Sequence, residues 1–172
     1  LYAGAMHATI TLLIVYHSHT GGTRQMVEAA VAGAQAGDSG VEVRLLRAPE
    51  AQVADVLAAD GYLFATPENL AAVSGLLKDF FDRTYYGALD RINGRPYASL
   101  VCAGSDGTNA TRQIARIATG WRLRPVADPL IVCTHAQTPE AILAPKQIGP
   151  ADLERCRALG EAMAAGLGMG VF

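Results

Sequence analysis

An α/β fold, a parallel sheet with helices on both faces, follows from three features of this 172-residue chain. Five apolar runs of strand length alternate with segments whose apolar residues recur at helical spacing, a pattern that specifies parallel strands joined by right-handed helical crossovers. The first run, Ile10-Thr11-Leu12-Leu13-Ile14-Val15-Tyr16, is nearly continuously apolar, as a strand is when helices cover both its faces. The composition is 51% hydrophobic but only 6% aromatic, so Ala, Val, Leu and Ile fill the interior.

The elements follow in order along the chain. After the first strand, Met26, Val27, Ala30, Val31 and Ala34 recur at helical spacing until Gly37 stops the helix. Residues 41–46 alternate in polarity as a partly exposed edge strand does. A weakly helical stretch, 51–59, leads to Gly61-Tyr62-Leu63-Phe64-Ala65, a buried third strand ending at Thr66-Pro67. Leu76, Leu77, Phe80, Phe81 and Thr84 form the next helical face, and Lys78, Asp79, Asp82 and Arg83 on its other side read as solvated i,i+4 pairs. Pro96 opens a fourth strand over 97–102, after which Ala103-Gly104-Ser105-Asp106-Gly107 turns into a helix marked by Ile114, Ile117, Ala118 and Trp121. A fifth strand spans 125–133, interrupted by Pro129. Leu153, Cys156, Leu159, Met163 and Leu167 mark the last helix, and the glycines of 166–170 read as a frayed tail. Residues 1–8 are expected to be an N-terminal extension, with Met6 the natural start and 1–5 a cloning remnant, and 9–172 a single folded domain.

The bulk properties narrow the function classes. A formal net charge of −2 gives no basic face for nucleic acid or an anionic membrane surface. No segment has the length and apolarity of a membrane span. Cys102, Cys133 and Cys156 are odd in number and widely spaced, which points to a reducing, cytoplasmic setting. Cys102 and Cys133 lie in strand-like runs and read as small core residues rather than nucleophiles.

The chemistry concentrates in Ser18-His19-Thr20-Gly21-Gly22-Thr23, directly after the first strand and directly before the first helix. Glycines let the backbone approach a ligand, hydroxyls donate to phosphate oxygens, and the free N–H groups of the helix start add positive potential. No lysine sits in this turn, so it is not a nucleoside-triphosphate loop, and the dinucleotide Gly-x-Gly-x-x-Gly fingerprint is absent at this position. A neutral, hydroxyl-lined turn suits a single phosphate monoester. Two further unusual loops, 66–72 and 103–108, also follow strands, and ligands of open α/β sheets bind outside the carboxyl ends of strands.

Competing chemistries fit poorly. His17 and His19 point the same way on an extended segment but are too few to hold a metal. Gly104-Ser105-Asp106-Gly107 is not a hydrolase Gly-x-Ser-x-Gly elbow. Thr108 stands where a phosphatase loop opened by Cys102 would need arginine, and His17 and Ser18 stand where a phosphorelay receiver needs acids.

With the turn at 18–23, Thr66-Pro67-Glu68-Asn69-Leu70 after the third strand, and Ser74-Gly75-Leu76-Leu77-Lys78 opening the next helix, the chain resembles the flavodoxin-like superfamily, and within it the NAD(P)H-dependent FMN reductase and quinone reductase branch. The resemblance is carried by residues 9–108. It implies a three-layer sandwich whose five-stranded parallel sheet has the order 2-1-3-4-5. It also implies FMN, its phosphate held by Ser18, Thr20, Gly21, Gly22 and Thr23 with the His19 N–H. The ring is then bracketed by Pro67, Glu68, Asn69 and Leu70 on one side and Gly104, Ser105, Asp106 and Gly107 on the other. NAD(P)H as reductant and a quinone or other small electron acceptor come with the resemblance, as does a homodimer or homotetramer; a flavodoxin-type electron carrier is the alternative. No side chain need be catalytic. The aromatic residue that stacks on the ring in many relatives is missing from both loops, leaving Leu70 to pack on one face, Tyr85, Tyr86 or Trp121 to reach in, and Glu68 to face solvent or the ring N3–H.

Overall fold

The computed structural model describes residues 8–172, so the expected extension lies, for residues 1–7, outside the described residues. The elements are β1 (Thr11–Tyr16), α1 (Gly22–Ala36), β2 (Glu42–Arg47), α2 (Val53–Ala58), β3 (Gly61–Asn69), β4 (Ala72–Val73), α3 (Gly75–Ala88), β5 (Pro96–Ala103), α4 (Thr108–Gly120), β6 (Arg124–Pro125), β7 (Leu130–Cys133), α5 (Pro139–Leu143) and α6 (Pro150–Met169). They build one sheet of order β2-β1-β3-β5-β6, with β7 also on β5 and β4 on β3.

The expected order 2-1-3-4-5 is present with β5 as its fourth strand, but the sheet departs from five parallel strands in two ways. The fifth is split into β6 and β7, both parallel to β5, because Pro125 and Pro129 lack the N–H a continuous ladder needs. The third does not end at Pro67. It runs on to Asn69 and folds back as an antiparallel hairpin with β4, Glu68 opposite Val73 and Asn69 opposite Ala72.

Strand alternation sorts the core into two layers. Leu12 and Ile14 of β1 pack with Leu63, Leu100, Met26 and Met163 under α1 and α6. Leu13 and Val15 pack with Tyr62, Phe64, Phe80, Ile114 and Trp121 under α2, α3 and α4. Most of the buried aromatics are gathered in that second layer: Phe64 lies 5.0 Å from Phe81 and 6.3 Å from Trp121, ring centre to ring centre. Full burial of a ring such as Phe64 stabilises the fold by about 2–3 kcal/mol. Edge strand β2 is only half-buried, as its alternation requires.

Between α1 and α6 the backbones nearly touch. A Cβ placed on Gly160 would lie 1.9 Å from the Ala30 carbonyl oxygen, and one on Gly33 equally 1.9 Å from that of Arg157. The C-terminal glycines are not a frayed tail. α6 continues through Met169 with Gly166 buried, and Gly170 ends it in the left-handed conformation, φ 65°, where glycine is the usual terminator. The expected surface pairs on α3 are present, Lys78 with Asp82 at 2.7 Å and Arg83 with Asp79 at 2.6 Å. No described helix is long and apolar enough to cross a membrane.

Candidate functional site

The carboxyl ends of β1, β3 and β5 deliver three loops to one end of the sheet. In the first, Gly21 takes φ 92°, ψ −6° and opens α1. The Ser18 hydroxyl oxygen accepts the N–H groups of Gly21 and Arg24, each at 3.2 Å, so a polar acceptor already sits where the helix start concentrates positive potential. Gly22 rests directly on β5: a Cβ there would lie 2.6 Å from the Cys102 sulfur. Thr23 is 2% exposed, and its buried Oγ1 has no hydrogen-bond partner among the described residues. The N–H groups of Gly22 and Thr23 belong to the first helical turn and have no intrahelical acceptor. One hydroxyl oxygen parked in the nest, one orphan hydroxyl and free first-turn N–H groups form a donor set that fits a phosphate monoester, the end of FMN that this turn would have to hold.

A remote segment completes this turn. The Gln25 amide nitrogen donates to the carbonyls of Gly21 (2.9 Å) and Lys146 (2.7 Å), while its oxygen accepts the Ile148 N–H at 3.0 Å. The Lys146 N–H donates to the Thr20 carbonyl at 2.9 Å. The Lys146 ammonium donates to the carbonyls of Ala141, Ile142 and Ala144 at the end of α5. Periodicity cannot reveal this strap, since α5 is five residues long and lies in a segment with no apolar repeat.

In the second loop, Glu68 is half-buried and turned toward the start of α4. Its carboxylate accepts the N–H groups of Gly107 (3.0 Å) and Ala110 (3.5 Å), where the α4 dipole favours negative charge. Asn109 donates to the Ala71 carbonyl at 2.6 Å, and the Gln113 amide accepts the Val73 N–H at 2.8 Å, so the hairpin is fastened to α4 along its length. At its tip Leu70 and Ala71 both have positive φ, 50° and 61°, as a two-residue hairpin turn demands, and Leu70 is fully exposed. We expect Glu68→Ala to cost about 1 kcal/mol, as loss of a helix cap does, with faster amide exchange at Gly107 and Ala110 as the direct readout.

In the third loop Gly107, φ 86°, starts α4 so close to β7 that a Cβ would meet the Ile131 side chain at 2.7 Å. Asp106 accepts the N–H and hydroxyl of Thr108 at 3.2 and 2.5 Å, and these bonds hold its carboxyl below the usual carboxylate range. Burial, aided by the charge of His19, lowers the basicity of His17, whose Nδ1 is also buried without a partner among the described residues. Cys102, beneath Gly22, is pushed up to about 11 by burial, in keeping with a core thiol rather than a nucleophile.

Two spaces meet at Ser18, His19 and Thr20. A cleft of about 90 Å³ adds Gly22, Thr23, Pro67, Glu68, Asn69, Gly104 and Lys146 to its walls. A cavity of about 650 Å³ adds Gly21, His17, Arg24, Arg47, Leu76 and Leu143, a size in the range of small-molecule sites. The sequence-selected residues at 18–23, 67–69 and 104 therefore come together, whereas Leu70, Ser105, Asp106 and Gly107 line neither space. Within this chain Tyr85, Tyr86 and Trp121 line neither space: Trp121 is 3% exposed in the core, and Tyr85 and Tyr86 pair edge to face on α3.

A family model described as NADPH-dependent FMN reductase matches residues 47–138. A flavodoxin from Aquifex aeolicus (strain VF5) is 37% identical over 94 residues, 55% of this chain and 48% of the relative. An NAD(P)H dehydrogenase (quinone) from Acidithiobacillus ferrooxidans is 33% identical over 93 residues, 42% of this chain and 46% of the relative. The chain thus spans about half the length of the curated relatives it matches. Among solved structures, a flavodoxin from the domain Archaea superposes with TM-score 0.73 at 17% identity, covering 92% of this chain and 99% of the other. The flavodoxin, WrbA-like protein from Agrobacterium tumefaciens gives 0.71 at 19%, covering 94% and 99%. At such identities these two likenesses concern the flavodoxin-like fold alone.

Proposed function

The chain belongs to the NADPH-dependent FMN reductase family, and from that premise we propose that it binds FMN at the carboxyl ends of β1, β3 and β5 and uses it to carry electrons from NAD(P)H to a quinone or another small acceptor. The observation that carries the reading is the donor set of the first turn, above all the buried, unpartnered Thr23 hydroxyl. When bound, FMN supplies hydride acceptance from the reduced nicotinamide and onward transfer of the two electrons, so the protein need contribute no nucleophile or acid. Its work is to bind and orient. Ser18, Thr20 and Thr23 and the backbone of His19, Gly21 and Gly22 hold the phosphate; Pro67, Glu68, Asn69 and Gly104 bound the adjoining cleft. Arg24 and Arg47 bring two guanidinium groups to the larger cavity, whose lining holds no carboxylate; they pair with Glu28 and Glu50. That lining suits a multiply phosphorylated reductant, which favours NADPH over NADH.

The alternative, an electron carrier without pyridine-nucleotide activity, draws on the flavodoxin relative. A net charge of −2 gives weak steering toward a protein partner, and the cationic cavity favours the reductase. The test is an anaerobic titration of the FMN-loaded protein. Bleaching of the flavin absorbance by NADPH, at lower concentration than by NADH, is the expected result. Bleaching by dithionite alone would leave the carrier, and failure to retain FMN would sink both.

A further inference from the structure

We propose that Lys146 is the cation of the phosphate cradle and that it makes the site select phosphorylated flavin over riboflavin. The proposal rests on the FMN reading above. Sequence places no positive charge within the turn, yet the fold brings the main chain of Lys146 onto it across 121 residues, its carbonyl sharing the Gln25 amide nitrogen with that of Gly21. Its Cβ lies 3.5 Å from the point where a Gly22 side chain would begin, and it shares the 90 Å³ cleft with the orphan Thr23 hydroxyl.

Its charge is not neutralised. Lys146 is half-buried and forms no ion pair among the described residues; the ammonium holds only neutral carbonyls of the strap. The carboxylate in the same cleft, Glu68, is occupied by two N–H groups of α4. Those three carbonyls satisfy every N–H of the ammonium and leave its positive charge without a counter-ion. The ammonium also acts on Cys102 beneath Gly22, opposing part of the effect of burial on that thiol. A phosphate in the cradle would draw one of the three ammonium N–H donors away from the strap carbonyls into a charge-assisted bond.

Fluorescence titrations of FMN and of riboflavin against wild type, Lys146→Gln and Lys146→Arg test this, glutamine keeping a donor for the strap carbonyls while removing the charge. We expect wild type to prefer FMN, Lys146→Gln to lose roughly tenfold or more in FMN affinity, as for one hydrogen bond to a charged group, with riboflavin affinity unchanged, and Lys146→Arg to stay near wild type. Parallel loss for both flavins would reduce Lys146 to a structural tie, and an unchanged FMN preference would remove it altogether; either overturns the proposal and leaves the FMN reading intact. Equal affinity of wild type for both flavins would overturn the phosphate cradle itself, and no binding of either would overturn the FMN reading and this proposal together.

Discussion

Gly160→Ala should lower the melting temperature by about 10 °C, the consequence of a loss of about 3 kcal/mol in a domain of this size. The added methyl would start 1.9 Å from the Ala30 carbonyl oxygen. Because the obstruction is backbone, no rotamer change relieves it; α1 and α6 must separate. Separation loosens Met26, Met163 and Leu167 of the core layer between helices and sheet, and shifts the helix whose first turn forms the cradle. Gly75→Ala is the control, since nothing lies within 4 Å of its Cβ and its φ is ordinary. Thermal unfolding followed by circular dichroism reads both. A Gly160→Ala midpoint within about 2 °C of wild type would mean that the two helices are not packed as described.

Thr23→Val should move stability and ligand binding in opposite directions. The hydroxyl is buried without a partner, and an unmade hydrogen bond of that kind costs about 1–3 kcal/mol. Valine has nearly the same shape, so the ligand-free protein gains about 1 kcal/mol. The bound state loses a donor to an anion, about 2 kcal/mol or roughly thirtyfold in FMN affinity. Denaturant unfolding of the FMN-free protein and fluorescence titration with FMN separate the two effects. A variant that is both less stable and unimpaired in FMN binding would show that the hydroxyl is not held in reserve for a ligand.

Much of this architecture was legible in the sequence because its signals are local. Continuous apolarity marked β1 and β3, alternation marked β2 as an edge, and glycine with hydroxyl residues between strand and helix marked the turn at 18–23. What escaped depends on contacts between distant residues. Glu68 reads as an exposed acid until α4 is seen to place two free N–H groups in front of it. Leu70 and Ala71 lack the glycine or asparagine that usually announces a two-residue hairpin, and the turn holds because Asn109 and Gln113 fasten it from outside. The glycines of α6 suggest fraying by propensity, yet close approach requires them at Gly160 and Gly166. Lys146 carries no motif at all, and only the Gln25 bridge reveals its place.

That bridge also sets a schedule for assembly. Gln25 and Ile148 are 123 residues apart, and at the usual pace of synthesis Ile148 follows Gln25 out of the ribosome after roughly 6–25 s. Through that interval β1, β2 and β3 can pair, but the turn between β1 and α1 lacks both the strap and the helix α6 that packs beside it. Cofactor capture is therefore a late event, following docking of the last quarter of the chain. A nascent or truncated chain that ends before Lys146 carries the whole phosphate-turn motif and still lacks a finished place to put a phosphate.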